Sequence, residues 1–172
     1  MRIVINCASA PLPGHSKYGA HVHTLVRRYI KTAIIFLALG IALGGWMLVD
    51  RELYGRAPSE YETSAHTHLI FVGFIMEMIL GVALWLFPRP HKEDTRYSPR
   101  LANVAYWLLT VGTATRAAGE LARESANAMP LRWLIVGSGL AQIAGIGLFF
   151  YTMWSRIRGV GSQSREASGE RF

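Results

Sequence analysis

Cysteine is nearly missing. Cys7 stands alone among 172 residues, which excludes an internal disulfide and any thiolate metal cage made by one chain. Acidic residues are scarce too, 11 against 18 lysines and arginines, and the surplus basic residues gather at the ends of apolar blocks. That placement suits membrane orientation and gives no ground for a nucleic-acid partner. The opening residues also lack the charged start, apolar run and small-residue cleavage pattern of a secretory signal. What the chain does have is apolar length: 51% of its residues are hydrophobic, and they are segregated into long runs. Such runs indicate a membrane domain, and the bilayer interior, which offers the backbone no hydrogen bonds, makes each run a helix.

Taken in order, the chain divides into an irregular N-terminal segment (1–27), a four-helix transmembrane domain (28–158) and a disordered Gly-, Ser- and Arg-rich tail (159–172). The expected fold is an all-α integral membrane bundle with both termini cytoplasmic. His15, His21 and His23 in the first segment form a weak metal-binding pattern, although a plain tail explains them as well. The first span covers 29–49 and contains Gly40 and Gly44 in a GxxxG pair, a common helix-contact face in membranes. The second covers 68–87 and the third 101–121, the least hydrophobic of the set. The fourth covers 131–154, with Gly137, Ala141 and Gly145 as a packing ridge and Gln142 near its middle.

The second span organises the rest. A bilayer core of ~30 Å needs ~20 apolar helical residues, and 68–87 meets that length with Glu77 as its only charge. At helical spacing, His66, Ile70, Gly73, Glu77 and Gly81 fall within an arc of roughly 80°, while His68 points about 200° away from His66. This face combines an imidazole, a flat strip at Gly73 and Gly81, and a buried acid. It suits a flat, metal-centred group, and it equally suits close helix packing. Thirteen of the 18 lysines and arginines lie in the N-terminal segment, the second loop and the tail, so the positive-inside rule places both termini in the cytoplasm. His66 and Arg116 then lie at a similar outer depth, with Glu77 about 16 Å further in. Arg116 is either an anchor for an anionic group or half of an i,i+4 ion pair with Glu120.

Ser64-Ala65-His66-Thr67-His68-Leu69, running into a span closed by Phe87-Pro88-Arg89, resembles the second helix of the catalytic subunit of haem–copper oxidases. The similarity is nearest to the cbb3-type cytochrome oxidases and the nitric oxide reductases, and Tyr29-x-Lys31 at the start of the first span is similar as well. The resemblance implies that His66 is an axial ligand of a low-spin haem b, with His68 where those members tend to have asparagine. It also implies an electron-transport role in a bacterial inner membrane, as a homo-oligomer or within a larger respiratory complex. Arg116 would hold the haem propionates, and His66 with His68 are the candidate metal ligands. The haem and copper ligands that a full catalytic subunit carries on later helices are not found here, so a complete oxygen-reducing centre is not expected. A second axial ligand would come from another copy or a partner chain, or the iron would stay five-coordinate. Two other readings stay open. Glu77 is the proton-binding acid of a small proton-coupled transporter or channel subunit, or the chain is a non-catalytic, oxidase-associated assembly subunit whose histidines only cap a helix.

Overall fold

In a computed structural model, residues 16–87, 98–126, 128–157 and 168 are described, with side chains from Thr24 onward. The described residues form four long helices and no strand. We label them α1 (Ser16–Tyr54), α2 (Glu60–Leu86), α3 (Pro99–Ser125) and α4 (Met129–Met153), the last followed by a 3-10 turn at Trp154–Arg156. Helix α1 starts at Ser16, so the irregular segment expected up to residue 27 is helical over its second half. His15 and most of the C-terminal tail lie outside the described residues.

Local chemistry sets the helix ends. Gly55, at φ 66°, closes α1 in the left-handed conformation that glycine adopts without steric cost. Arg56 then turns back, its N–H bonding the Asp50 carbonyl at 3.2 Å and its guanidinium pairing with the Asp50 carboxylate. Helix α2 opens on a capping box. The Ser59 hydroxyl accepts from the Glu62 N–H at 3.1 Å, and the Glu62 carboxylate accepts from the Ser59 N–H at 2.9 Å. Proline in the first turn starts both α3 and α4. At the far end of α2, Arg156 from beyond α4 donates to the carbonyls of Leu84 (3.2 Å) and Phe87 (2.9 Å), which the helix itself leaves unpaired.

Helices α1, α2 and α4 are long and apolar enough to cross a membrane. Their outward faces carry Ile34, Ile35, Leu39, Ile41, Phe71, Ile79, Leu140 and Ile143, all more than half exposed. In water such surfaces would aggregate, whereas in a bilayer they are the lipid-facing side. Helix α3 is the polar member and the best covered, packed between α2 and α4.

Two features position the residues of interest. The first is an antiparallel ladder between α1 and α2. A Cβ at Gly44 would stand 2.8 Å from the His66 ring, and one at Gly40 would stand 2.5 Å from Ile70. Further along, a Cβ at Gly73 would stand 2.6 Å from Phe36, and one at Gly81 would stand 2.8 Å from Tyr29. Small residues on α1 thus receive large ones from α2 at one end, and the roles reverse at the other. The second feature is π-helical winding over His68–Met76 inside α2. Its approach is crowded with competing donors: Thr63 and Thr67 hydroxyls bond the carbonyls four residues back, and so does the His68 ring. Side chains that claim i−4 carbonyls loosen the α-helical ladder, and the wider i→i+5 turn follows directly.

Candidate functional site

His66 and His68 lie on different sides of α2, as their spacing predicts. The His66 ring rests on α1, where Gly44 has no side chain to exclude it, and its Nδ1 is 2.9 Å from the Gly40 carbonyl oxygen. A carbonyl can only accept, so Nδ1 carries the proton and Nε2 keeps its lone pair. Nε2 makes no hydrogen bond among the described residues. That is the state in which a histidine ligates a metal, with its other nitrogen oriented by an outer acceptor.

His68 faces α3. Its Nδ1 lies 2.8 Å from the Ser64 carbonyl and 3.5 Å from Glu120 Oε2. Glu120 is almost wholly buried and is held by the Ser64 hydroxyl at 2.8 Å and by Arg116 Nε at 3.1 Å. Arg116 therefore belongs to a polar knot with Glu120 and His68, and its guanidinium reaches the α4 backbone at Gly139. Of the two roles open to Arg116, the i,i+4 ion pair with Glu120 is present, while His66 and Arg116 project from α2 and α3 toward different neighbours.

Gly73 and Gly81 lie on the His66 side of α2 and take the helix-packing role that the sequence left open: Phe36 and Tyr29 of α1 rest against them. The GxxxG pair of α1 likewise serves inside the chain, receiving Ile70 and His66. Among the described residues there is no group of three or more His, Cys, Asp or Glu that could hold a metal ion by itself.

Glu77 is completely buried. Thr110 of α3 donates to its Oε1 at 2.8 Å, while Oε2 has no partner. Gln142 of α4 bonds Thr113 Oγ1 at 3.1 Å. Tyr29 was missing from the sequence reading as a site residue. It is completely buried, with its hydroxyl unpartnered and its ring edge-on to Tyr106 at 5.0 Å. An aromatic at a span entry ordinarily marks the membrane interface, so only the Gly81 notch could have revealed its depth.

The family model for cytochrome c and quinol oxidase polypeptide I matches residues 24–164, most of the chain. The chain belongs to this family. No curated protein and no solved structure matches it. Membership in the subunit I family accords with the apolar helices and makes haem the plausible prosthetic group. The feature that would suit that group is the free Nε2 of His66, while Phe36 and Tyr29 rest on the glycine strip.

Proposed function

We propose that this chain is a small membrane protein of the oxidase subunit I family that binds a b-type haem through His66 Nε2 and passes electrons. The observation that carries the proposal is the Nδ1 contact with the Gly40 carbonyl, which fixes the tautomer and leaves Nε2 ready for a metal. Haem, when bound, supplies a one-electron couple. The chain's own part is to hold the imidazole still: Gly44 gives it room and Gly40 orients it. Family membership and the Ser64–Leu69 entry support the same residue, the latter by its likeness to the cbb3-type and nitric oxide reductase members. We further propose that α3 is a fourth span, its polar residues covered by α2 and α4, with both termini cytoplasmic in a bacterial inner membrane. The second axial ligand would come from a further copy or a partner in a respiratory complex, since among the described residues no second histidine side chain approaches His66 on its own side of α2.

Absorption spectra of the full chain, purified from haem-supplied membranes with and without dithionite, test this. The wild type should show a Soret band that His66→Ala abolishes and His68→Ala largely keeps. A colourless wild type refutes the haem assignment. Loss of the band only in His68→Ala would move the ligand to the Glu120 side.

A further inference from the structure

Four exposed cations stand at the end of the bundle where α1 enters its span and α3 begins: Arg27, Arg28 and Lys31 on α1, and Arg100 on α3. Among the described residues none of them pairs with a carboxylate, whereas Arg51, Arg56 and Arg116 each have an acidic partner. Two of the four are brought to one place. Arg28 Nη1 donates to Asn103 Oδ1 of α3 at 3.4 Å, and Arg100 lies one turn before Asn103 on the same helix.

Charges at a helix end ordinarily need only water, and they set orientation. What lies beside this pair is less ordinary. At ~100° per residue, Arg100, Val104, Trp107 and Val111 fall within an arc of roughly 60° on α3, with Asn103 at its edge. No other helix covers this strip: Val104 is 45% exposed, Trp107 50% and Val111 53%. It forms one wall of a side-open groove of about 550 Å³, and α4 forms the other. The α4 wall has a gap at Gly137, where a Cβ would meet nothing within 4 Å. The hydroxyls that line the groove, Thr115 and Ser138, donate to the Val111 and Ile135 carbonyls of their own helices. Such a lining suits an alkyl chain. From Arg100 to Val111 the helix rises ~16 Å, about half of the ~30 Å hydrocarbon thickness. That is the depth of one leaflet.

We propose that this strip is a specific seat for one anionic phospholipid. Its phosphate lies between Arg28 and Arg100, and one acyl chain runs along Val104, Trp107 and Val111 into the α3–α4 groove. Charge complementarity selects the headgroup, because a guanidinium matches a phosphate with two parallel hydrogen bonds. The continuity of cations with groove selects a lipid over a free ion. A second copy of the chain fits this face poorly, since it would bring its own unpaired cations against the first set. The seat is on the outward side of α3 and is independent of the haem reading at His66.

Native mass spectrometry of the full chain, released from detergent micelles, tests this with phosphatidylglycerol and phosphatidylcholine of identical acyl chains. One phosphatidylglycerol per chain should be retained in preference to phosphatidylcholine. Arg28→Gln and Arg100→Gln should each weaken that retention about fivefold, which is what one basic residue near an anionic headgroup is worth. Arg27→Gln, the same loss of charge on another side of α1, should leave it nearly unchanged. Gly137→Leu, which puts a side chain into the groove, should weaken retention while the helices stay folded. Equal retention of the two lipids, or equal losses in Arg27→Gln and Arg28→Gln, would reduce the cations to diffuse charge and overturn the proposal. Displacement of the lipid by inorganic phosphate at matched concentration would overturn it too, showing an anion site with no chain seat. A lipid-free dimer that Gly137→Leu separates would overturn it in favour of a second copy. If a variant fails to fold, the wild-type preference between the two lipids still decides.

Discussion

Gly44→Ala isolates the seat of His66 better than any change to the histidine itself. The added methyl would lie 2.8 Å from Cε1, 3.2 Å from Nδ1 and 3.5 Å from Nε2 of the ring. Carbon atoms rest at ~3.5–4.0 Å, so the imidazole must withdraw by roughly 0.7 Å or more. Withdrawal lengthens a 2.9 Å contact with the Gly40 carbonyl past useful range. The lost hydrogen bond costs ~0.5–1.5 kcal/mol, and overpacking adds ~1–3 kcal/mol. Better helix propensity returns up to ~1 kcal/mol. The net expectation is a destabilisation of about 1–3 kcal/mol by the same terms. Gly45→Ala is the internal control, because a Cβ there meets nothing within 4 Å. Unfolding in detergent micelles, followed by circular dichroism, should rank Gly44→Ala below the wild type and Gly45→Ala level with it or above. If haem is bound, Gly44→Ala should also weaken its retention while Gly45→Ala does not. Equal stability of the two variants would refute the ladder register, and with it the assignment of GxxxG as a seat inside the chain.

Arg156→Ala should destabilise the bundle by about 2–4 kcal/mol, because it strips charge-assisted donors from two carbonyls at the end of α2. Arg156→Lys should recover little, a point charge being unable to span both acceptors; the same micelle unfolding assay reads both, and wild-type stability in Arg156→Ala would disprove the cap. For topology, single cysteines replacing Ser59 and Ser98, in a background with Cys7 removed, should react with membrane-impermeant reagents from opposite sides. Ser59→Cys is expected outside and Ser98→Cys inside, and labelling of both from one side contradicts four crossings.

The helices were legible in the sequence because bilayer length is a coarse signal: three runs of apolar residues announce themselves without any knowledge of packing. The side of α2 shared by His66, Gly73 and Gly81 was also legible, since helical periodicity brings them to α1 even with π winding between them. What periodicity cannot say is what lies opposite. A strip of glycines reads the same whether it faces a cofactor or a ring from the next helix, and Phe36 and Tyr29 carry no mark of their partners. Arg116 and His66 were assigned a common depth, which fixes one coordinate and leaves the direction around each helix open. The Arg116–Glu120 pair needed only local spacing, and it is present. The helical turns of α1 before residue 28 were not legible because the polar stretch from Ser16, with Gly19 in it, has no apolar period to betray a helix.

The two histidines illustrate how one motif serves two purposes. Each is oriented through Nδ1 and each leaves Nε2 available, yet their acceptors differ in charge. His66 meets a neutral backbone carbonyl on an apolar helix. His68 meets a carbonyl and, at 3.5 Å, a buried carboxylate already engaged by Arg116 and Ser64. His68 therefore ties α2 to α3 as part of a polar knot. His66, with no charge behind it and glycine beneath it, is the one left unspent by the fold. The π-helical stretch begins at His68, so the knot and the change in winding are joined at one residue. Strengthening the grip on α3 at that point leaves the His66 seat on the α-helical side, where the α1 ladder alone determines it.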